Sequence, residues 1–322
     1  MSKEMTMTDQ KQLSRDIIKA FKTKVIHHPA YCAVLEAIEN THAMSGIEGT
    51  GMLLLGTPGV GKTTSLEKYI ERYMVIYGET ESDTKTSYPI VKISIPSKPT
   101  IKGVIIKILN AVEHPDLTGS QAQLEVRLSR FIKTQDVEML IFDECQHLLK
   151  EQAQISTRNV VNFIKTLMDD HQLAVIMAGI PEAKHSIIQF EELYQRFTAE
   201  HIELHPFSTE DTEERQRFCG YLNACRSILE SMDVKTIDLA TETMQERIEL
   251  ATQGLPRLIN RLLVKAITLG DLNKTLNLND FIQAYSKAQL NRELGLFNPF
   301  SAQPAKVSEK LKTLREKMGK RT

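Results

Sequence analysis

With 322 residues, 41% of them hydrophobic and 25% charged, the chain has a globular composition and the length for one large core with a smaller satellite domain, which excludes wholesale disorder. The formal net charge of -1 gives no global attraction to nucleic acid, so any such contact has to come from local clusters of Lys and Arg. The start, MSKEMTMTDQ, lacks an apolar signal core and no apolar run approaches the ~18 residues of a membrane span. A soluble cytoplasmic protein with no membrane partner is expected.

Residues 1–25 read as a polar, weakly helical extension, and PAYCAVLEAIENTHAMS as an amphipathic helix leading into a first strand. Five short β-rich runs follow: GMLLLG, YPIVKISIP, VEMLIFDE, LAVIMAG and EHIELHP. Helical segments such as KTTSLEKYIERYMVIYG and TRNVVNFIKTLMDDH separate most of them. Near-continuous apolar strands alternating with helices predict an α/β fold, a parallel sheet covered by helices on both faces, over residues 26–207. Beyond Pro206 the apolar positions recur three and four apart, which predicts a small all-helical domain over 208–290, with Ser208 and Thr209 as possible caps of its first helix. Residues 291–322 read as a basic, partly disordered tail, with seven Lys/Arg against two Asp/Glu from Lys306 onward. Within it LFNPF carries two exposed-looking phenylalanines suited to docking a partner. Cys32, Cys145, Cys219 and Cys225 show no metal-ligand spacing and read as buried reduced thiols.

The chemistry concentrates after the first strand. GTPGVGKTT, residues 56–64, fits G-x-x-x-x-G-K-[ST] between a strand and a helix. Gly56, Thr57, Pro58, Gly59, Val60, Gly61 and Thr64 form a loop whose backbone N–H groups can turn around phosphate oxygens at the positive end of the next helix. Lys62 would reach the β- and γ-phosphates of ATP and Thr63 would ligate Mg²⁺. The run MLIFDE ends a neighbouring strand in two acids. Acids at the start of a helix are also ordinary capping residues. Beside a phosphate loop, however, Asp143 suits the water shell of Mg²⁺ and Glu144 a general base for the attacking water. The absence of a base-reading NKxD argues against a GTPase.

Arg196, in LYQRFTAEHIEL, precedes the last strand, where it can reach a neighbouring subunit's γ-phosphate as an arginine finger. Arg257, in GLPRLINRLL, opens a helix of the small domain and can close on the phosphates of its own subunit. A surface salt bridge is the alternative for each. SIPSKPTIKG places Lys98, Thr100 and Lys102 at a helix start, where they can hold DNA phosphates without reading bases, or simply form a solvated loop. Lys150 and Arg158 are weaker candidates for DNA or subunit contact.

Taken together, the phosphate loop, the D-E strand end, the R-F before the last core strand and the G-x-P-R resemble the AAA+ superfamily. HHPAY, FDECQHLL, RNVVNFIKTLMDD, AGIPEA and GLPRLINRLLVKA, over roughly residues 20–290, look most like the TniB/TnsC family of transposition ATPases. MuB, the ExeA secretion type and the Orc/Cdc6 initiator type share much of this layout. The resemblance implies a P-loop AAA+ core with a helical lid. It also implies an ATP-bound oligomer, ring or helical, on double-stranded DNA, linking a transposase to a target-selector protein of the TniQ/TnsD type. An AAA+ ATPase that remodels or loads protein partners without touching DNA is the alternative. One position departs from the pattern: Ile180 stands where relatives carry a polar sensor, and an isoleucine cannot hydrogen-bond water or phosphate. That fits slow, switch-like hydrolysis.

Overall fold

A computed structural model describes residues 7–78, 87–148, 156–197, 200–270, 275–288 and 290–319. The apolar runs form five strands, β1 (Thr50–Gly56), β2 (Ile90–Ser94), β3 (Met139–Asp143), β4 (Ala174–Gly179) and β5 (Glu200–Leu204). They pair in parallel in the order β2-β3-β4-β1-β5. Every residue of β1, β3 and β4 is buried, as expected of central strands covered on both faces, while the edge strand β5 is half-buried over most of its length. Register sets the two faces. Leu53, Leu55, Val91, Ile93, Leu140, Phe142, Val175 and Met177 share one core with the next three helices to be named. These are α4 (Ile101–Ala111), α5 (Gln121–Thr134) and α6 (Ser156–His171). The alternate residues Met52, Leu54, Ile141 and Ile176 are buried on the other face. Helices α2 (Pro29–Ala43) and α3 (Lys62–Gly78) and the short α7 (Ala183–Ile188) and α8 (Glu191–Tyr194) complete this unit, Ala30–His205.

The described residues up to Pro29 and those from Pro206 on form a second, helical unit. It contains α1 (Met7–Thr23), α9 (Thr212–Glu230), α10 (Glu242–Thr252), α11 (Pro256–Leu269), α12 (Leu278–Ala288) and α13 (Pro304–Gly319). Asp211, and not Ser208 or Thr209, caps α9: its carboxylate accepts the Glu214 N–H at 2.8 Å. Within the expected polar extension, residues 7–23 form α1, whose Ile17 and Phe21 are buried in this unit's core; residues 1–6 lie outside the described residues.

The tail also departs from expectation. Val307, Leu311 and Leu314 fall at i, i+4 and i+7 and bury one stripe of α13. Its cations are partly structural. Arg315 Nη2 lies 2.7 Å from Glu249 Oε1, and Glu249, only 6% exposed, also accepts the Thr209 N–H and hydroxyl at 2.7 Å each. Buried Arg247 donates to the Ala302 carbonyl at 2.9 Å and to that of Pro299. Phe300 is 1% exposed against Phe281 and Tyr285, and Phe297 is half-buried under Lys310, so LFNPF is a core plug and only Leu296 stands out. The thiols divide as well. Cys145 and Cys225 are buried, each pushed up to about 12 by desolvation first of all, whereas Cys32 is exposed and Cys219 intermediate. Among the described residues no helix is long and apolar enough to cross a membrane.

Two outcomes are expected. Arg315→Met strands the buried Glu249 carboxylate and should destabilise the helical unit by about 2 kcal/mol in urea unfolding, with Glu249→Gln added to it recovering part of the loss. A change within about 0.5 kcal/mol would show that the pair is an ordinary surface contact. In timed thiol labelling of the folded chain, Cys32 should react first while Cys145 and Cys225 stay silent until denaturant is added; early labelling of Cys145 would contradict its burial.

Candidate functional site

The carboxyl ends of β1 and β3 stand on either side of β4, and the loop after β1 is built to arch there. Gly56, Gly59 and Gly61 all have positive φ (153°, 93° and 120°). At Gly56 the need for glycine is also steric, since a Cβ would come 2.6 Å from the Leu204 carbonyl oxygen at the end of β5. At Gly61 a Cβ would meet nothing within 4 Å, so the left-handed backbone alone selects glycine. Val60, 5% exposed, pins the loop to the core, and its N–H reaches the Thr57 carbonyl at 3.3 Å. Helix α3 then starts at Lys62, leaving its first N–H groups and positive end beside the loop. Pro58, Thr63 and Thr64 face solvent.

Lys62 Nζ donates to the Gly56 carbonyl at 2.5 Å and to that of Thr57 at 3.3 Å. Burial lowers its ammonium below the usual lysine value, opposed by the nearby Asp143 and Glu144 carboxylates. The Thr63 hydroxyl donates to Asp143 Oδ2 at 3.0 Å, and Asp143, 6% exposed, accepts the Glu144 N–H on its other oxygen at 2.9 Å. A hydroxyl and a buried carboxylate at this separation are the hard oxygen ligands that suit a largely hydrated Mg²⁺. No cluster of three or more His, Cys, Asp or Glu that could hold a metal occurs among the described residues. The Thr63 hydroxyl and the Asp143 carboxylate fit a cation shared with phosphate oxygens.

Glu144 is exposed and sits at φ 60°, a left-handed conformation that costs a non-glycine residue about 1 kcal/mol and turns the chain sharply off β3. A short 3₁₀ turn, Cys145–Leu148, follows. Its Gln146 was not singled out by the sequence pattern, although it stands two residues after the acid pair; its Nε2 donates to Glu144 Oε2. Ile180, just past the end of β4, is half-buried.

Each remaining residue has its own local setting. Arg196, in the 3₁₀ turn Gln195–Phe197, is held by Asp169 of α6, with Nη2 2.7 Å from Oδ1, and its Nη1 donates to the Gly49 carbonyl at 3.4 Å. Gly49 precedes β1, so Arg196 lies at the opposite end of that seven-residue strand from the phosphate loop, about 20 Å away along the strand rise. Asp169, too, went unnoticed in the sequence, lost in a polar Asp-Asp-His helix end. Arg257 is exposed in the first turn of α11, after Pro256. The turn before it is fixed by Gly254 (φ 66°), where a Cβ would fall 1.8 Å from the Phe207 carbonyl oxygen. Lys98 is exposed, Thr100 caps α4 by accepting the Gly103 N–H at 3.0 Å, and Lys102 donates to the Gly119 carbonyl at 2.8 Å. Arg158 is exposed on α6, and Lys150 lies outside the described residues.

Solved structures share this fold. The ORC2 protein of Aeropyrum pernix, solved as ADPNP–ADP complexes, matches with a TM-score of 0.58 at 11% identity, over 84% of this chain and 71% of that one. Drosophila ORC bound to DNA matches at 0.56 and 14% identity, over 99% and 82%. Cdc6p from Pyrobaculum aerophilum matches at 0.57 and 14%, over 93% and 89%. At such identities the likeness to these ORC and Cdc6 structures is one of fold alone. No curated protein sequence matches the chain. A family described as bacterial TniB protein matches residues 17–207. That match spans more than half of the chain and all of the unit that carries the phosphate loop, and the chain belongs to the TniB family.

Proposed function

We propose that this chain is an ATP-hydrolysing switch that assembles on duplex DNA and links a target-selector protein of the TniQ/TnsD type to a transposase. The ATPase part rests on the Thr63–Asp143 hydrogen bond, which joins the phosphate loop to the one strand end that carries a buried acid followed by an exposed one. Lys62 gives up its carbonyl contacts to bind β- and γ-phosphate oxygens, and the loop N–H groups from Gly56 to Thr64 surround the phosphates. Thr63 and Asp143 would hold Mg²⁺, which supplies positive charge to the phosphates when bound. Glu144 takes the proton of the attacking water, and its exposure leaves it open to that water.

The place of Arg196 supports an oligomer. An arginine at the far end of β1 does not reach its own phosphate loop, so it acts on a neighbour's γ-phosphate after parting from Asp169. Arg257 serves as the lid's contact to nucleotide. Transposition as the setting is supported by the family, and DNA as a partner by the family and by the ORC relative solved on DNA. The contact surface we assign is the start of α4. The Thr100 hydroxyl uses its oxygen to cap the helix and keeps its proton for a phosphate, with Lys98 and Lys102 beside it. Such binding tolerates any sequence and weakens steeply with salt. A second reading, protein remodelling without DNA, is favoured by one observation: Thr100 and Lys102 already have structural partners. With Ile180 at the sensor position, turnover is slow.

Glu144→Gln should keep ATP affinity while turnover falls at least ~100-fold; turnover near wild type would remove Glu144 as the base. Mixing Arg196→Ala with Glu144→Gln, each inactive alone, should restore part of the activity at interfaces that pair an intact base with an intact arginine. No restoration would leave Arg196 as the structural partner of Asp169. Anisotropy of a labelled random duplex should rise cooperatively with ATP, not with ADP, and fall at higher salt, with Lys98→Ala and Lys102→Ala reducing it. An unchanged signal in every nucleotide state would favour the remodelling reading.

A further inference from the structure

The polar group that β4 lacks is supplied from the neighbouring strand end. Ile180 offers no hydrogen bond, and Gly179 before it has no side chain. Into that space comes Gln146. A Cβ on Gly179 would lie 3.0 Å from Gln146 Oε1 and 2.5 Å from Cys145 Sγ, so the glycine is what lets the 3₁₀ turn close over the end of β4. The amide is oriented by its partner, because an ionised Glu144 carboxylate only accepts, so Nε2 faces Glu144 and Oε1 faces inward. That inward Oε1 is buried and has no hydrogen-bond partner among the described residues.

We propose that Gln146 is the positioning residue of the hydrolytic site. It fixes one oxygen of Glu144 so that the other is presented to the attacking water, and its inward carbonyl oxygen takes the place of the missing sensor as an acceptor for a water at the end of β4. Glu144 has reason to need a clamp. Its backbone is set at φ 60°, but its side chain is exposed and has three freely rotating bonds, so an unclamped carboxylate would spend little time aimed at the phosphates. The inference rests on the ATPase reading above and assigns the residue that orients its base.

Gln146→Met keeps the volume over Gly179 and removes both hydrogen-bonding groups; Gln146→Glu keeps the shape and replaces the donor with an acceptor. Both should lower kcat about 10- to 100-fold with KM for ATP, affinity for a fluorescent ATP analogue and melting temperature unchanged, a split that a space-filling role would not produce. In Glu144→Gln, adding Gln146→Met should cost nothing further. Turnover of Gln146→Met within twofold of wild type, with Glu144→Gln inactive, overturns the proposal and leaves the ATPase reading standing. A wild-type chain without turnover, or a Glu144→Gln variant as active as wild type, overturns both.

Discussion

One hydrogen bond, from Thr63 to Asp143, joins two strands that are not neighbours. With β4 between them, the ends of β1 and β3 lie about 10 Å apart, too far for side chains leaving the strands directly. The contact forms because the loop after β1 rises, arches and delivers Thr63 in the first turn of α3. Sheet order and the loop glycines serve this approach. It brings a phosphate-binding loop and two carboxylates to one crevice at the carboxyl ends of parallel strands, where α/β folds place their ligands.

The same sheet separates two sets of residues by its polarity. Its carboxyl edge holds the groups that would meet the molecule's own nucleotide. At the amino edge of β1 lies Arg196, tied to Asp169 and to the Gly49 carbonyl, with Phe197 behind it packed so closely on Gly51 that a Cβ there would come within 2.6 Å of the ring. A rigid strand thus fixes how far Arg196 stands from the phosphate loop.

The α/β unit was legible because parallel strands buried on both faces leave unbroken apolar runs, and because the phosphate loop has a spacing that glycine geometry enforces. Thr63 and Asp143, eighty positions apart, were linked by their chemistry alone. The helical unit was less legible. In α13 five cations masked the stripe of Val307, Leu311 and Leu314, and nothing local reveals that Arg315 belongs to Glu249, 66 positions earlier. Gln146 was hidden for another reason: its meaning depends on what stands at Gly179 and Ile180, on a different strand. Charge counts describe composition, whereas burial decides which charges are structural.

The place of α1 has a consequence for how the chain comes into being. Its apolar residues Ile17 and Phe21 belong to a core whose other members, on α9, α11 and α12, are encoded beyond the entire α/β unit. During synthesis the first helix leaves the ribosome with no surface to pack on. At ~5–20 residues per second it waits on the order of tens of seconds, while the sheet folds in between, before Pro256–Leu269 arrives to cover it. For that interval the apolar stripe of α1 is open to chaperones and to other nascent chains, and the helical unit closes only once α9, α11 and α12 have followed it.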